Sequence, residues 1–139
     1  MEIYFAGSIR GADADRPRFK RFIEHLSGHG KVLTEHTFDY DYAQEIKLDE
    51  TEIYECDMGW LDDADVLVAE VSSPSLGVGY EIWQLERMGK PILCLYKKQE
   101  GRKLSAMIIG NRKLKIAEYD GEEEALNAMD DFINAIKEP

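Results

Sequence analysis

Val66-Leu67-Val68-Ala69-Glu70-Val71-Ser72-Ser73-Pro74-Ser75-Leu76-Gly77-Val78-Gly79-Tyr80-Glu81 passes from an apolar run, through small residues, into a segment with helical spacing. It reads as a strand, a loop and the first turns of a helix that carries one acid. A helix start of this kind presents backbone N–H groups and the positive end of a dipole to an anion, and glycines let a ligand approach the backbone. The same residues also suit ordinary turn chemistry, with Glu81 simply complementing the helix dipole. A capping box ending at Glu81 is excluded, because Val78 stands where Ser or Thr is needed.

The pattern repeats on either side. Glu2 to Ala6 reads as a first strand, followed by the small-residue loop Gly7-Ser8-Ile9-Arg10-Gly11. Phe19, Phe22, Ile23 and Leu26 recur at helical spacing until Gly28 and Gly30, and Lys31 to Glu35 reads as strand two. The periodicity fades from His36 to Lys47, which predicts a loop able to serve as a lid. Ile53, Cys56, Trp60 and Leu61 mark a second helix before the strand at 65–71, and 78–88 forms a third. A strand at 91–96, a short apolar helix at 104–109, a strand at 114–119 and a closing helix lined by Ala125, Leu126, Met129, Phe132, Ile133 and Ile136 complete the chain.

Strands alternating with helices predict a doubly wound, Rossmann-like α/β domain: a five-stranded parallel sheet with helices on both faces, spanning residues 1–139 as one domain. Ligands in such folds bind beyond the carboxyl ends of the strands, where the strand order reverses. Both small-residue loops fall on that edge.

Composition narrows the classes. The chain has 139 residues, 44% hydrophobic and 32% charged, which suits a water-soluble globular fold. A net charge of −11 opposes binding to nucleic-acid polymers and anionic membranes, yet a local cluster of N–H groups with one arginine still accommodates a small anion. No apolar run approaches a membrane span, and the N-terminus has Glu2 and no basic region before its short apolar run, unlike a signal peptide, so the expected location is the cytosol. Cys56 and Cys94 have no metal-ligand spacing and form no disulfide framework. Neither a metal nor a cofactor is expected. Gly77-Val78-Gly79 lacks the third glycine of a dinucleotide fingerprint, and Walker A, HExxH and GxSxG motifs are missing.

Asp57 interrupts the apolar stripe of its helix, so it needs a partner or a wet pocket. Two inward carboxyls in one cleft suffice for glycosidic chemistry, one attacking the anomeric carbon and the other managing the proton. Glu81 and Asp57 suit those roles, and Asp57 equally suits a structural cap. Tyr4, in strand one, reads as core or as a donor to a carboxylate. Arg10, with Ser8 beside it, reads as a solvated charge or a phosphate partner. His25 and His29 read as surface residues, whereas His36, at the end of strand two, is a ligand candidate.

Ile3 to Gly11, Thr34-Glu35-His36, Asp57 with Trp60-Leu61, Ala64-Asp65-Val66, Val68 to Val71, Pro74 to Glu81 and Leu104 to Ile108 together resemble, in the same order, the 2'-deoxynucleoside 5'-monophosphate N-hydrolases, relatives of the nucleoside 2-deoxyribosyltransferases. The resemblance implies that Glu81 is a nucleophile forming a glycosyl ester, that Asp57 assists departure of the base and then activates water, and that Tyr4 orients Glu81. It implies that Ser8, Arg10 and Ser75 hold the 5'-phosphate, within a binding set of Gly7, Ser8, Ile9, Arg10, Gly11, His36, Ser75, Gly77, Gly79, Ser105 and Met107. It further implies a homodimer in which Ser105 reaches the neighbouring subunit's phosphate site. The run Phe38-Asp39-Tyr40-Asp41-Tyr42 matches no pattern of that family, so the base, and deoxyribose against ribose, stay open. A deoxyribosyltransferase, a ribonucleotide N-glycosidase such as one acting on cytidylate, and a non-catalytic nucleotide sensor are the alternatives.

Overall fold

The computed structural model describes residues 1–9, 15–39 and 48–138. In chain order the elements are β1 (Glu2–Ala6), α1 (Arg16–Ser27), β2 (Lys31–Val32), α2 (Glu50–Asp63), β3 (Val66–Glu70), α3 (Leu76–Arg87), β4 (Ile92–Lys97), α4 (Ala106–Ile109), β5 (Lys115–Tyr119) and α5 (Glu122–Lys137). The strands form one all-parallel sheet in the order β2-β1-β3-β4-β5, so the direction of winding reverses between β1 and β3. The expected doubly wound α/β architecture is therefore present.

Strand alternation sorts the core into two layers. Ile3 and Phe5 of β1, Val66 and Val68 of β3, and Leu93 and Leu95 of β4 pack with α1 and α5. Tyr4 and Ala6, Leu67 and Ala69, and Ile92 and Cys94 face the other way, with Leu61, Val78, Ile82 and Leu85 of α2 and α3. β3 is buried at all five positions, as a central parallel strand requires. Among the described residues no helix is long and apolar enough to cross a membrane.

Side-chain caps start several helices. Asp15 accepts from the Arg18 amide at 3.0 Å, Asp49 from Glu52 at 2.8 Å and Ser75 from Val78 at 3.2 Å. Helix α5 starts at Gly121 without such a cap and carries Glu122, Glu123 and Glu124 in its first turn, where the dipole favours negative charge.

Three expectations need correction. Strand two ends at Val32, because the Thr34 hydroxyl takes over both main-chain groups of Phe5, donating to its carbonyl at 2.9 Å and accepting from its amide at 3.1 Å. The chain turns there and leaves the ladder early. In α2 the inward residue is Asp57, four after Ile53 and four before buried Leu61, whereas Cys56 is exposed. His25 and His29 are not free surface residues: both imidazoles meet Asp130 of α5, at 2.7 and 2.6 Å. The lid expected over 36–47 lies outside the described residues from position 40 onward.

Candidate active site

β1 delivers Tyr4 to the face shared with α2 and α3, and its side chain is only 2% exposed. α2 presents Asp57 to the same face, and α3 presents Glu81, six residues after its cap Ser75. Together with Gly7, Ile9, Thr34, Thr37 and Phe38 these three residues line a small pocket of about 30 Å³, room for about one water. It sits beyond the carboxyl end of β1, beside the point where the strand order reverses.

Electrostatics single out the two acids. Burial, with the Asp57 carboxylate adding to it, pushes Glu81 up to about 7 against a hydrogen bond from Tyr4 that acts the other way. Burial alone lifts Asp57 to about 6. The Tyr4 phenol is held far above its ordinary range by burial, then by the negative charges of Glu81 and Asp57, so it remains a donor at any physiological pH. Two carboxyls titrating near neutrality beside a fixed phenol can attack an electrophile and carry a proton at the same pH.

Ser75 stands at the start of α3, where its hydroxyl oxygen caps Val78. A Cβ placed on Gly77 would lie 3.8 Å from Glu81 Oε1 and 3.9 Å from Ser75 Oγ, so the missing side chain leaves open the space that both oxygens border. Gly79 has no neighbour within 4 Å of such a Cβ. Gly7 has a packing reason instead: a Cβ there would meet the Phe19 ring at 2.8 Å. Ser8 is buried at the end of β1, while Arg10 and Gly11 lie outside the described residues. His36 is exposed and bonds Asp39 Oδ2 through Nδ1 at 2.6 Å; it does not line the pocket of the two acids. Ser105 caps the short α4, and Met107 is 81% exposed; neither lines that pocket.

The larger cavity is elsewhere. A groove of about 850 Å³ runs between α3 and residues 102–114, lined by Ser75, Leu76, Trp83, Leu104, Ser105 and Met107 among others, and it includes neither acid.

Sequence reasoning passed over Thr37, Phe38 and Glu70. Thr37 and Phe38 line the pocket next to His36, and Phe38 is locked into an aromatic cluster with Phe5 and Phe19, at 5.9 and 5.2 Å between centroids. Glu70, 2% exposed at the end of β3, accepts from the Ser72 amide at 2.7 Å, from the Ser72 hydroxyl at 3.0 Å and from Tyr119. Ser72 Oγ in turn accepts from the Lys97 amide at 2.8 Å. This network ties the loop that leads to Ser75 onto β4 and β5. An acid in the middle of an apolar run was its one visible signal.

A family model described as nucleoside 2-deoxyribosyltransferase matches residues 3–129. The chain is 45% identical over 131 residues to the 5-hydroxymethyl-dUMP N-hydrolase of Rattus norvegicus, covering 89% of this chain and 80% of that protein. It is 39% identical over 142 residues to the protein of the same name from Danio rerio, covering 98% of each. Among solved structures, the CMP N-glycosidase of Clostridium botulinum superposes with a TM-score of 0.67 at 19% identity, over 94% of this chain and 98% of that one. That likeness concerns the fold.

Proposed function

The chain belongs to the nucleoside 2-deoxyribosyltransferase family, and from that premise we propose that it is an N-glycosidase releasing the base from 2'-deoxynucleoside 5'-monophosphates. The observation that carries the proposal is the convergence of Glu81 and Asp57, both raised toward neutrality, on one pocket with Tyr4 at the reversal of strand order. Relatives named 5-hydroxymethyl-dUMP N-hydrolase support the substrate class.

In this reading a Glu81 carboxylate oxygen attacks C1' of the sugar. The bond from C1' to the base nitrogen breaks with its electron pair passing to the base, which takes a proton from Asp57. Water then attacks C1' of the glycosyl ester and loses a proton to Asp57, while the C1'–O bond breaks back to Glu81. Free base and 2-deoxyribose 5-phosphate leave. Tyr4 holds the Glu81 rotamer by its hydrogen bond. Every group in these steps is a side chain of the chain or a water, so no cofactor is needed.

The phosphate falls to the start of α3, where Ser75 combines a hydroxyl with the helix dipole. Ser8, Arg10 and Gly11 complete that cradle in this proposal. Ser105 and Met107 stand away from their own chain's acids and belong to the site of a second copy. Leu76 at 97% exposed, Met107 at 81%, Ile109 at 59% and Trp83 at 52% are apolar side chains around the groove that a homodimer would cover. A cytosolic location suits the exposed free thiol of Cys56.

The family also contains transferases, in which a second base intercepts the ester in place of water. Incubation with ribo- and deoxyribonucleoside monophosphates, with and without a foreign free base, separates these outcomes by chromatography. Hydrolysis predicts free base and sugar phosphate from deoxyribonucleotides; a new nucleoside or nucleotide made with the foreign base would identify a transferase. Release from cytidylate alone would identify a ribonucleotide N-glycosidase, and binding without release a sensor.

A further inference from the structure

Helix α1 runs back from the carboxyl edge of the sheet to its amino edge, and there it delivers His25, with His29 one turn further in the connection to β2. Both imidazoles direct Nε2 at the same oxygen of Asp130, Oδ1, at 2.7 and 2.6 Å. One carboxylate oxygen thus gathers two ring nitrogens from a segment 101 to 105 residues away. All three ligand-type atoms lie within 4.8 Å of one another. We propose that His25, His29 and Asp130 form a binding site for a divalent first-row transition ion, zinc foremost, separate from the two catalytic acids.

The donor set suits the ion. Two imidazoles and a carboxylate are zinc ligands, and three protein ligands leave a fourth tetrahedral position for water. The side chains of His25, His29 and Asp130 are 30%, 18% and 35% exposed, so the group is sheltered and still reached by solvent. Bonds of about 2.0–2.2 Å around a tetrahedral ion put neighbouring ligand atoms about 3.3 Å apart. The Asp130 carboxylate therefore has to draw back by about 0.6 Å, a side-chain adjustment. On binding, each imidazole presents a bare Nε2 to the ion, and its proton shifts to Nδ1 or leaves to solvent.

The frame around these ligands is already fixed. The Gly28 amide donates to the His25 carbonyl at 3.1 Å and the His29 amide to the Leu26 carbonyl at 2.9 Å. Lys137 donates to the His29 carbonyl at 2.8 Å, which occupies its ammonium on the backbone. Gly30 leaves no space for a Cβ, which would lie 2.3 Å from the Met1 carbonyl oxygen. Ligands on such a backbone lose little freedom on binding.

The test is calorimetric titration of the full chain with zinc at neutral pH, in a Cys56→Ser background that removes the exposed thiol as a competing ligand. The proposal predicts one zinc per chain with a dissociation constant tighter than about 10 µM, weakened at least tenfold by His29→Gln and by Asp130→Asn. A second measurement needs no ligand variant: in nitrogen-detected imidazole spectra, zinc moves the Nε2 signals of His25 and His29 and leaves His36 in place. Absence of saturable binding, binding unchanged in the two variants, or a spectral response at His36 alone would overturn the site.

Discussion

The Glu81 carboxylate and the Ser75 hydroxyl line different cavities yet approach one point on α3, with Oε1 3.8 Å and Oγ 3.9 Å from where a Gly77 side chain would begin. The proposed nucleophile within α3 and the proposed phosphate ligand at its cap thus stand six residues apart, each within 4 Å of the point where a Gly77 side chain would begin. A nucleoside monophosphate has to bridge such a gap, its sugar carbon at one end and its phosphate at the other.

Gly77→Ala tests this relationship. A methyl at those distances makes ordinary contacts, and alanine favours the helix over glycine by about 0.5–1 kcal/mol, so thermal stability should hold or rise. The methyl nevertheless fills substrate space. The expected outcome is a KM for nucleotide raised roughly tenfold or more with an unchanged fold, read from initial rates and a melting curve.

The two acids define a pH dependence. With Asp57 near 6 and Glu81 near 7, the pair carries one shared proton between those values, and the tautomer of that state with the proton on Asp57 and the charge on Glu81 has one nucleophile and one acid. Below that window the second carboxyl is protonated and the nucleophile is lost; above it the last proton leaves and the acid is lost. The kcat/KM profile should be bell-shaped, with limbs near pH 6 and pH 7. Asp57→Asn should remove the alkaline limb, and Tyr4→Phe should move the limb near pH 7 to higher pH, because the hydrogen bond that lowers Glu81 is gone.

Glu81 also bears on stability. Its folded value is raised from 4.5 to about 7, so its favourable contribution is full below pH 4.5 and is lost as pH climbs to 7. Glu81→Gln should therefore be more stable than the parent at pH 8, by about 3 kcal/mol, with the difference vanishing near pH 4. Urea melts at the two pH values check the sign.

Glu70 should matter without touching substrate. Glu70→Ala strips the buried Ser72 and Tyr119 donors of their acceptor, a loss of roughly 3 kcal/mol in a urea melt. The loop to Ser75 then loses its tie to β4, so the KM for nucleotide should rise alongside. Glu70→Gln, which keeps an acceptor oxygen, should recover part of both.

Sequence periodicity was informative where one rule governs. The apolar run 66–71 followed by Ser75, Gly77 and Glu81 announced β3, its loop and α3, and the short run 2–6 announced β1 with Tyr4 in it. Asp57 was legible because it broke a helical stripe. What stayed hidden depends on partners distant in the chain. Thr34 ends β2 through hydrogen bonds to Phe5, 29 residues earlier, and no local propensity encodes that. Glu70 looked like the tail of a strand until Tyr119 met it, and His25 and His29 looked solvated until α5 brought Asp130. Thr37 and Phe38 lie in turns whose direction is set by the aromatic cluster around Phe5.

The most direct measurement is base release from a deoxyribonucleoside 5'-monophosphate by the parent protein and by Glu81→Gln, followed by chromatography at pH 6.5. The parent should liberate base and 2-deoxyribose 5-phosphate, and the variant should be slower by about a thousandfold or more, roughly 4 kcal/mol of barrier. No release by the parent, or a variant rate within about tenfold of it, roughly 1.4 kcal/mol, would contradict the role given to Glu81.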